Sequence, residues 1–411
     1  MNKFMNWLEN SFAPKLQKIT NATWVVVIKD SILQILPFIL AGSLFCVLAI
    51  VNGSFWTPFG WTMSKISLMV AFLIPFNYCE RKRYRKQRLL AGLTGLILFM
   101  IIVEPEVVAS GAATQSVGLY GAAGLFVAMI AGIISGLVFG AFAKFSFFKE
   151  DSVIPDFVRQ WFDALLPIML VVAAGWLVVG VLGVDVAGTI QKIFAPLALI
   201  ANTLPGMMIV TFFQCFIYSM GISGWVLTPV TDPVKRQATE MNLALVAAGT
   251  ATAQNLSLFT ETTMYTCYMW IGGIGATLSL VLLMCFSKSQ ELKALGRACL
   301  GPGILNINEP VVFGAIAWNP LLMIPMWIQG PVAALTTWAF TKWIPLAKIP
   351  RIDFELWYCP YPISTWISTQ GHLPSILFVL AQFALQAAIW YPFFKAYEKK
   401  KVAEEAEAAA K

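Results

Sequence analysis

The chain has 411 residues, 58% of them hydrophobic and 12% charged, with 28 basic against 21 acidic residues and a net charge of +7. A soluble domain carries roughly 25% charged residues, so this composition leaves too much apolar surface for water and excludes a soluble, disordered or collagen-like chain. Only helices and closed barrels satisfy every backbone polar group in hydrocarbon, and the apolar runs here are long and continuous rather than short and alternating, which predicts an all-α polytopic membrane protein.

Residues 1–22 are polar and amphipathic and lack an apolar centre followed by a small-residue cleavage site, so they read as a segment along the membrane surface, not a signal peptide. A spanning helix needs about 20 mostly apolar residues. Such runs cover 32–51, 61–79, 89–103, 120–143, 164–183, 206–226, 268–286, 318–341 and 374–394. Between them, 185–202 and 228–265 are interrupted by Pro, Asn, Thr and single charges, and 290–316 is broken by Gly301-Pro302-Gly303. Interrupted segments survive at membrane depth where protein or a water-filled cavity shields the backbone, so these fit re-entrant hairpins or interfacial helices.

The densest basic burst is Arg81–Arg88, six positive charges in eight residues. Bursts of this kind between apolar runs mark cytoplasmic loops, not a nucleic-acid surface. Lys3, Lys15 and Lys18, the 288–297 stretch and Lys399-Lys400-Lys401 join them on that side. Both termini are then cytoplasmic, the number of crossings is even, and about ten is expected. The spans look regular through residue 183, whereas broken segments concentrate later, so 1–183 is expected to be a scaffold or dimerisation half and 184–411 a substrate-binding half.

Gly124, Ala128, Gly132, Gly136 and Gly140 recur at every fourth position, which places small residues on one helix face and predicts close helix packing. The seven cysteines are scattered, mostly in apolar runs, and form no disulfide framework or metal site. An acidic side chain inside a membrane is expensive and is a functional candidate by default; Asp30, Glu104, Glu106, Asp232, Glu261 and Glu309 qualify. Asp30 follows Lys29, which suggests a local ion pair, and Glu104 and Glu106 flank Pro105 at a span end, facing water. Asp232 sits in Thr231-Asp232-Pro233, a cap or turn signal. Glu261 opens the polar cluster Glu261-Thr262-Thr263. The single histidine, His372, precedes a span and reads as interfacial rather than as a base; no GxxxxGK[ST] run supports an ATP-driven pump, and no cofactor is called for.

Glu309 differs from the other acids because turn formers bracket it together with Asn306 and Asn308. Pro310 removes a backbone donor and disfavours helix at the residue before it. The run therefore reads as a hairpin tip that offers two amides and one carboxylate to a polar ligand; sugars suit that combination, with an aromatic face for the ring.

The run from Ser287 to Arg297, continuing into Asn306-Ile307-Asn308-Glu309-Pro310-Val311-Val312-Phe313-Gly314 and Asn319-Pro320, resembles the IIC membrane subunit (EIIC) of sugar phosphotransferase systems of the lactose, cellobiose and diacetylchitobiose type. Ile271-Gly272-Gly273, Gly275-Ala276-Thr277-Leu278 and Tyr391-Pro392-Phe393-Phe394-Lys395-Ala396-Tyr397 extend the likeness over nearly the whole chain. The resemblance implies a homodimer of ten-span subunits in a bacterial cell membrane, with two re-entrant hairpins in the second half. It also implies import of a disaccharide or β-glucoside with concomitant phosphorylation, the phosphoryl donor being a cysteine of a separate soluble IIB protein. On that pattern Glu309 is the catalytic carboxylate, Asn306 and Asn308 contact sugar hydroxyls, and Trp357 is a stacking platform. Where the family carries Gly-Ile-His-Gly, this chain has Gly221-Ile222-Ser223-Gly224, so Ser223 replaces the histidine at the substrate. The family's Pro-Trp-Thr-Thr-Pro run stands as Leu356-Trp357-Tyr358-Cys359-Pro360. Those two departures carry the alternative reading, a non-phosphorylating sugar transporter or a membrane sensor derived from the same family. An ion-coupled secondary transporter is the third.

Overall fold

A computed structural model describes residues 11, 14–15, 18, 21–103, 117–148, 154–222 and 224–409. They form helices and connecting loops, with no strand among the described residues. Glu104, Glu106 and most of the amphipathic lead lie outside them.

The helices are α1 Thr23–Gln34, α2 Leu36–Val51, α3 Trp56–Thr62, α4 Ile66–Arg81, α5 Arg88–Val103, α6 Leu125–Ala141 and α7 Asp156–Gly175. After them come α8 Val186–Ala201, α9 Leu204–Ser219, α10 Thr228–Ala247, α11 Leu278–Cys285 and α12 Gln290–Ile304. The last four are α13 Glu309–Val311, α14 Pro320–Trp338, α15 Ile363–Ser368 and α16 Leu373–Ala409. Among the described residues five helical runs are long and apolar enough to cross a bilayer: Thr23–Cys46, Gly53–Arg81, Asp156–Val181, Pro320–Trp343 and Leu373–Glu407. A sixth arises if α8 and α9, bent by 90° at their junction, count as one broken span. α7 leaves Phe157, Trp161, Leu165 and Met169 exposed, which is the surface a lipid-facing helix presents once charge is scarce.

Two contact units divide the chain. One joins Ile19–Phe45 with Ser54–Pro196, and the other joins Cys46–Gly53 with Leu197–Lys411. In the first, α4 packs against α1, α5 and α6. The small-residue stripe of α6 makes this possible: a Cβ at Gly132 would lie 2.8 Å from Ile74 Cβ, and one at Gly140 would lie 3.0 Å from the Tyr78 ring. Gly124 is the residue just before α6, so the stripe within the helix is Ala128, Gly132, Gly136 and Gly140. Asp30 pairs with Lys29 at 3.4 Å, as the sequence suggested.

In the second unit α9, α14 and α16 pack in turn, and α11 lies against α12 and α16. The base of α12 is held by the last turns of α16. Glu398 accepts hydrogen bonds from Ser287 Oγ and the Lys288 N–H, and Glu405 accepts from Ser289 Oγ and the N–H groups of Gln290 and Glu291.

Three expectations are corrected here. The run 268–286 is helical only from Leu278, because Gly272, Gly273 and Gly275 take φ of +84°, +93° and +89° and turn the chain just before it. Hydropathy registers those glycines as apolar and is blind to the turn. The helix expected over 206–226 likewise stops at Ser219, and Gly221 follows with φ of +74°. Asp232 is not a cap: it lies within α10, one turn after the helix begins, with Pro233 inside the helix and Pro229 in the first turn, where a missing N–H costs nothing.

Candidate functional site

A turn stands where the sequence reads as a hairpin tip. α12 ends at Ile304, residues 305–308 turn, and helix resumes at Glu309. Pro310 opens this helix and does not break it, because a first-turn proline has no intrahelical N–H to lose. Asn306 adopts a left-handed φ of +60°, a conformation asparagine tolerates better than most residues. Its Oδ1 accepts the Gly272 N–H at 2.9 Å, and its Nδ2 donates to the carbonyls of Trp357 at 2.7 Å and Cys359 at 3.1 Å. One buried amide thus pins three segments together. Asn308 is placed in the same manner: Nδ2 donates to Ile274 O at 2.8 Å, and Oδ1 accepts from the Tyr218 hydroxyl at 3.2 Å.

The glycine turn is what lets these amides in. A Cβ at Gly273 would meet Asn308 side-chain atoms at 2.5–2.8 Å, so backbone and amide are in contact there and only glycine fits. The result is a narrow cleft of about 40 Å³. Tyr218, Tyr265, Trp270 and Trp357 provide its aromatic walls, Gly224, Gly273 and Ile274 its backbone floor, and Asn306, Asn308 and Glu309 its polar groups.

Glu309 is exposed, and its carboxylate makes no hydrogen bond or ion pair among the described residues. Trp270 is fully buried, yet its indole N–H finds no partner among them either. A free carboxylate and a free buried donor on the walls of one cleft are what a hydroxyl-rich ligand would complete.

Of the residues singled out from sequence, Asn306, Asn308, Glu309 and Trp357 converge on this cleft. Ser223 lies outside the described residues, between Ile222 and the cleft residue Gly224. His372 stays apart, its Nδ1 2.8 Å from Ser375 Oγ at the start of α16. Tyr218, Tyr265 and Trp270 were missed, since single aromatics in apolar stretches look like core. The signal that could have found them is the triplet Gly272, Gly273 and Gly275, which no simple spanning helix needs.

The wall behind Tyr265 is ionic. α10 is amphipathic in reverse: Thr228, Thr231, Asp232, Lys235, Arg236, Thr239 and Asn242 recur at helical spacing and are buried. Lys235 pairs with Asp232 at 2.9 Å and with Glu261, and its Nζ lies 4.9 Å from the Tyr265 ring centroid. Arg236 meets both oxygens of Glu355, at 3.0 and 2.9 Å, and reaches Asp232 at 3.5 Å. Glu261, expected as a candidate from its polar cluster, therefore acts here as a partner of Lys235.

Replacing Asn306 by alanine is expected to cost about 1–3 kcal/mol for the backbone groups left unpaired, read as a lower melting temperature, with weaker ligand binding. Asn306→Gly relieves the left-handed strain without restoring the bonds, so a full recovery by glycine would refute the clamp.

The phosphotransferase system EIIC family model matches residues 29–330. A cellobiose-specific EIIC component from Geobacillus stearothermophilus is 28% identical over 98% of this chain and 96% of its own length. A lichenan permease IIC component from Bacillus subtilis (strain 168) is 27% identical over the same shares. Among solved structures, the transporter ChbC, the IIC component of an N,N′-diacetylchitobiose-specific phosphotransferase system, is 26% identical and superposes with a TM-score of 0.85 over 97% of this chain and 99% of its own. The family match spans well over half the chain and the likeness of fold is end to end, so this protein belongs to the EIIC family of the phosphotransferase system, the integral membrane permease components of that system.

Proposed function

We propose that this EIIC permease imports a β-linked disaccharide or short β-oligosaccharide and presents one of its hydroxyls to a phosphorylated IIB protein. The reading rests on one arrangement: two amides locked by the Gly272–Ile274 turn beside a Glu309 carboxylate that is unpaired among the described residues, inside an aromatic-walled cleft. The relatives named for cellobiose, lichenan and N,N′-diacetylchitobiose support the sugar class.

In this reading Trp357 and the two cleft tyrosines cover the apolar faces of the rings, and the Trp270 N–H donates to a sugar oxygen. Asn308 retains one amide proton for a hydroxyl, whereas Asn306 acts by holding the Trp357 loop. Glu309 takes the proton from the attacking hydroxyl as the new oxygen–phosphorus bond forms and the sulfur–phosphorus bond to the IIB cysteine breaks, leaving a thiolate. Ser223 supplies a hydroxyl where relatives place an imidazole. Residues 1–183 serve as the dimerisation half and 184–411 as the substrate half, in a subunit of about ten spans with both termini cytoplasmic. The broken stretches 228–265 and 290–316 supply the re-entrant hairpins.

The test is uptake of radiolabelled cellobiose by cells with and without the general phosphotransferase proteins, with analysis of the product inside. Sugar phosphate formed only in cells that hold those proteins is expected. Free sugar accumulating in both would favour the alternative that the Ser223 and Tyr358-Cys359 replacements suggest, transport uncoupled from phosphorylation.

A further inference from the structure

Around Tyr265 the cleft wall leaves hydrogen bonds unmade among the described residues. Gln214 stands on α9 one turn before the cleft residue Tyr218, and its Nε2 donates to the Tyr265 hydroxyl at 3.3 Å. The phenol oxygen is then an acceptor with its own proton left to give, and no described residue takes that proton. Gln214 Oε1 has no partner among the described residues either, although the side chain is only 2% exposed. Turning the amide over reverses one bond and still leaves the pair with a donor and an acceptor to spare. Trp270 meets the Tyr265 ring edge to face, with centroids 6.5 Å apart, and adds the unpaired indole N–H of a fully buried side chain. Buried polar groups are nearly always paired, so open valences gathered around one ring point to a ligand.

Tyr265 is also held where it stands. Its backbone carbonyl accepts the Tyr361 hydroxyl at 2.9 Å, and Lys235 Nζ lies 4.9 Å from its ring centroid. With Trp270 it lines the narrow cleft beside Asn308 and Glu309. Two donors and one acceptor are the complement of a hydroxyl, which offers two lone pairs and one proton. An ether or an acetamido carbonyl lacks the proton, and a methylene lacks both. We propose that Gln214, Tyr265 and Trp270 form a hydroxyl-selecting subsite of the sugar cleft, in which Tyr265 and Trp270 touch the sugar and Gln214 positions the Tyr265 hydroxyl. Glu309 serves the hydroxyl that is phosphorylated; this subsite accepts or rejects the sugar that brings it. The assignment deepens the sugar-permease reading and rests on it.

The experiment measures binding to the full chain in lipid nanodiscs, with cellobiose and its complete sets of monodeoxy and mono-O-methyl analogues. At the position read by the subsite, both analogues are expected to bind about 10–100-fold more weakly than cellobiose, because buried partners are left unpaired. Gln214→Met and Tyr265→Phe keep the buried shape and remove hydrogen bonds. Each is expected to weaken cellobiose binding and leave the deoxy analogue of that position unchanged, so discrimination there is lost while discrimination at the hydroxyl served by Glu309 persists. A variant that merely loosens the fold would weaken every analogue alike. Should Gln214→Met not fold, Tyr265→Phe, which deletes one oxygen, carries the comparison. Parallel losses across the whole series, or discrimination undiminished at every position, would overturn the proposal. Wild type that binds cellobiose and tolerates every deoxy analogue would overturn the subsite alone, whereas wild type that binds no sugar of the set would overturn the permease reading and the subsite with it.

Discussion

Glu309→Gln is expected to lower phosphoenolpyruvate-dependent sugar phosphorylation by about 10²–10⁴-fold, the usual contribution of a positioned general base, while sugar binding changes only a few-fold. Glutamine keeps the length of the side chain and its place in the first turn of α13, and it can still orient a hydroxyl. It cannot accept the proton. The carboxylate has no structural partner among the described residues, so its loss leaves no buried group unsatisfied and the protein should melt where wild type does. That combination separates a chemical role from a structural one. The measurement is sugar phosphate formed by membrane vesicles supplied with the general phosphotransferase proteins and IIB. Unchanged phosphorylation would show that the hydroxyl proton leaves by another route.

The second large effect concerns stability. Arg236→Met removes the only cation that meets Glu355 among the described salt bridges and one of two that meet Asp232. Uncompensated buried charge of this kind costs about 3–5 kcal/mol. We expect a sharp fall in melting temperature and in the yield of monodisperse protein. Replacing the bidentate pair at once, Arg236→Met with Glu355→Met, should recover much of the loss, because an apolar pair of similar volume is often neutral. If the double variant is no better than the single one, the pair does more than balance charge, and its hold on the Trp357 loop matters more to stability than charge compensation does.

The helical class and the five runs long and apolar enough to cross a bilayer were legible because lipid exposure writes itself into composition. So was the turn over 305–308, since Asn306, Asn308 and Glu309 stand in a tight run of turn formers. Hydropathy misled at 268–286: it ranks glycine as apolar, and nothing in a window average distinguishes a spanning helix from the turn through Gly272, Gly273 and Gly275 that receives the two amides. The role of Asn306 was also out of reach. An exposed amide and one that clamps three backbone segments read alike until Trp357 and Cys359, 51 and 53 residues on, are seen beside it. Asp232 and Glu261 stood out as costly acids, but their cations could be assigned only in three dimensions, because Glu261 lies 26 residues from Lys235 and Glu355 lies 119 from Arg236.

The reversed amphipathicity of α10 bears on how the chain is made. A membrane-insertion machine admits a segment on its own apolarity, and a charged residue at mid-helix counts against it by about 2.5–3.5 kcal/mol. α10 brings Asp232, Lys235, Arg236 and Glu240, and the carboxylates that complete the pairing of Lys235 and Arg236, Glu261 and Glu355, have not yet emerged when it does. It is therefore expected to stay at the bilayer surface while the apolar runs cross, until the 353–355 loop has been synthesised and can pair with it. Biogenesis would then proceed in two stages, with an intermediate in which the spans are in place and the cleft does not yet exist. A glycosylation reporter fused after Ala247 should see α10 uninserted, and one fused after Ile363 should see it buried.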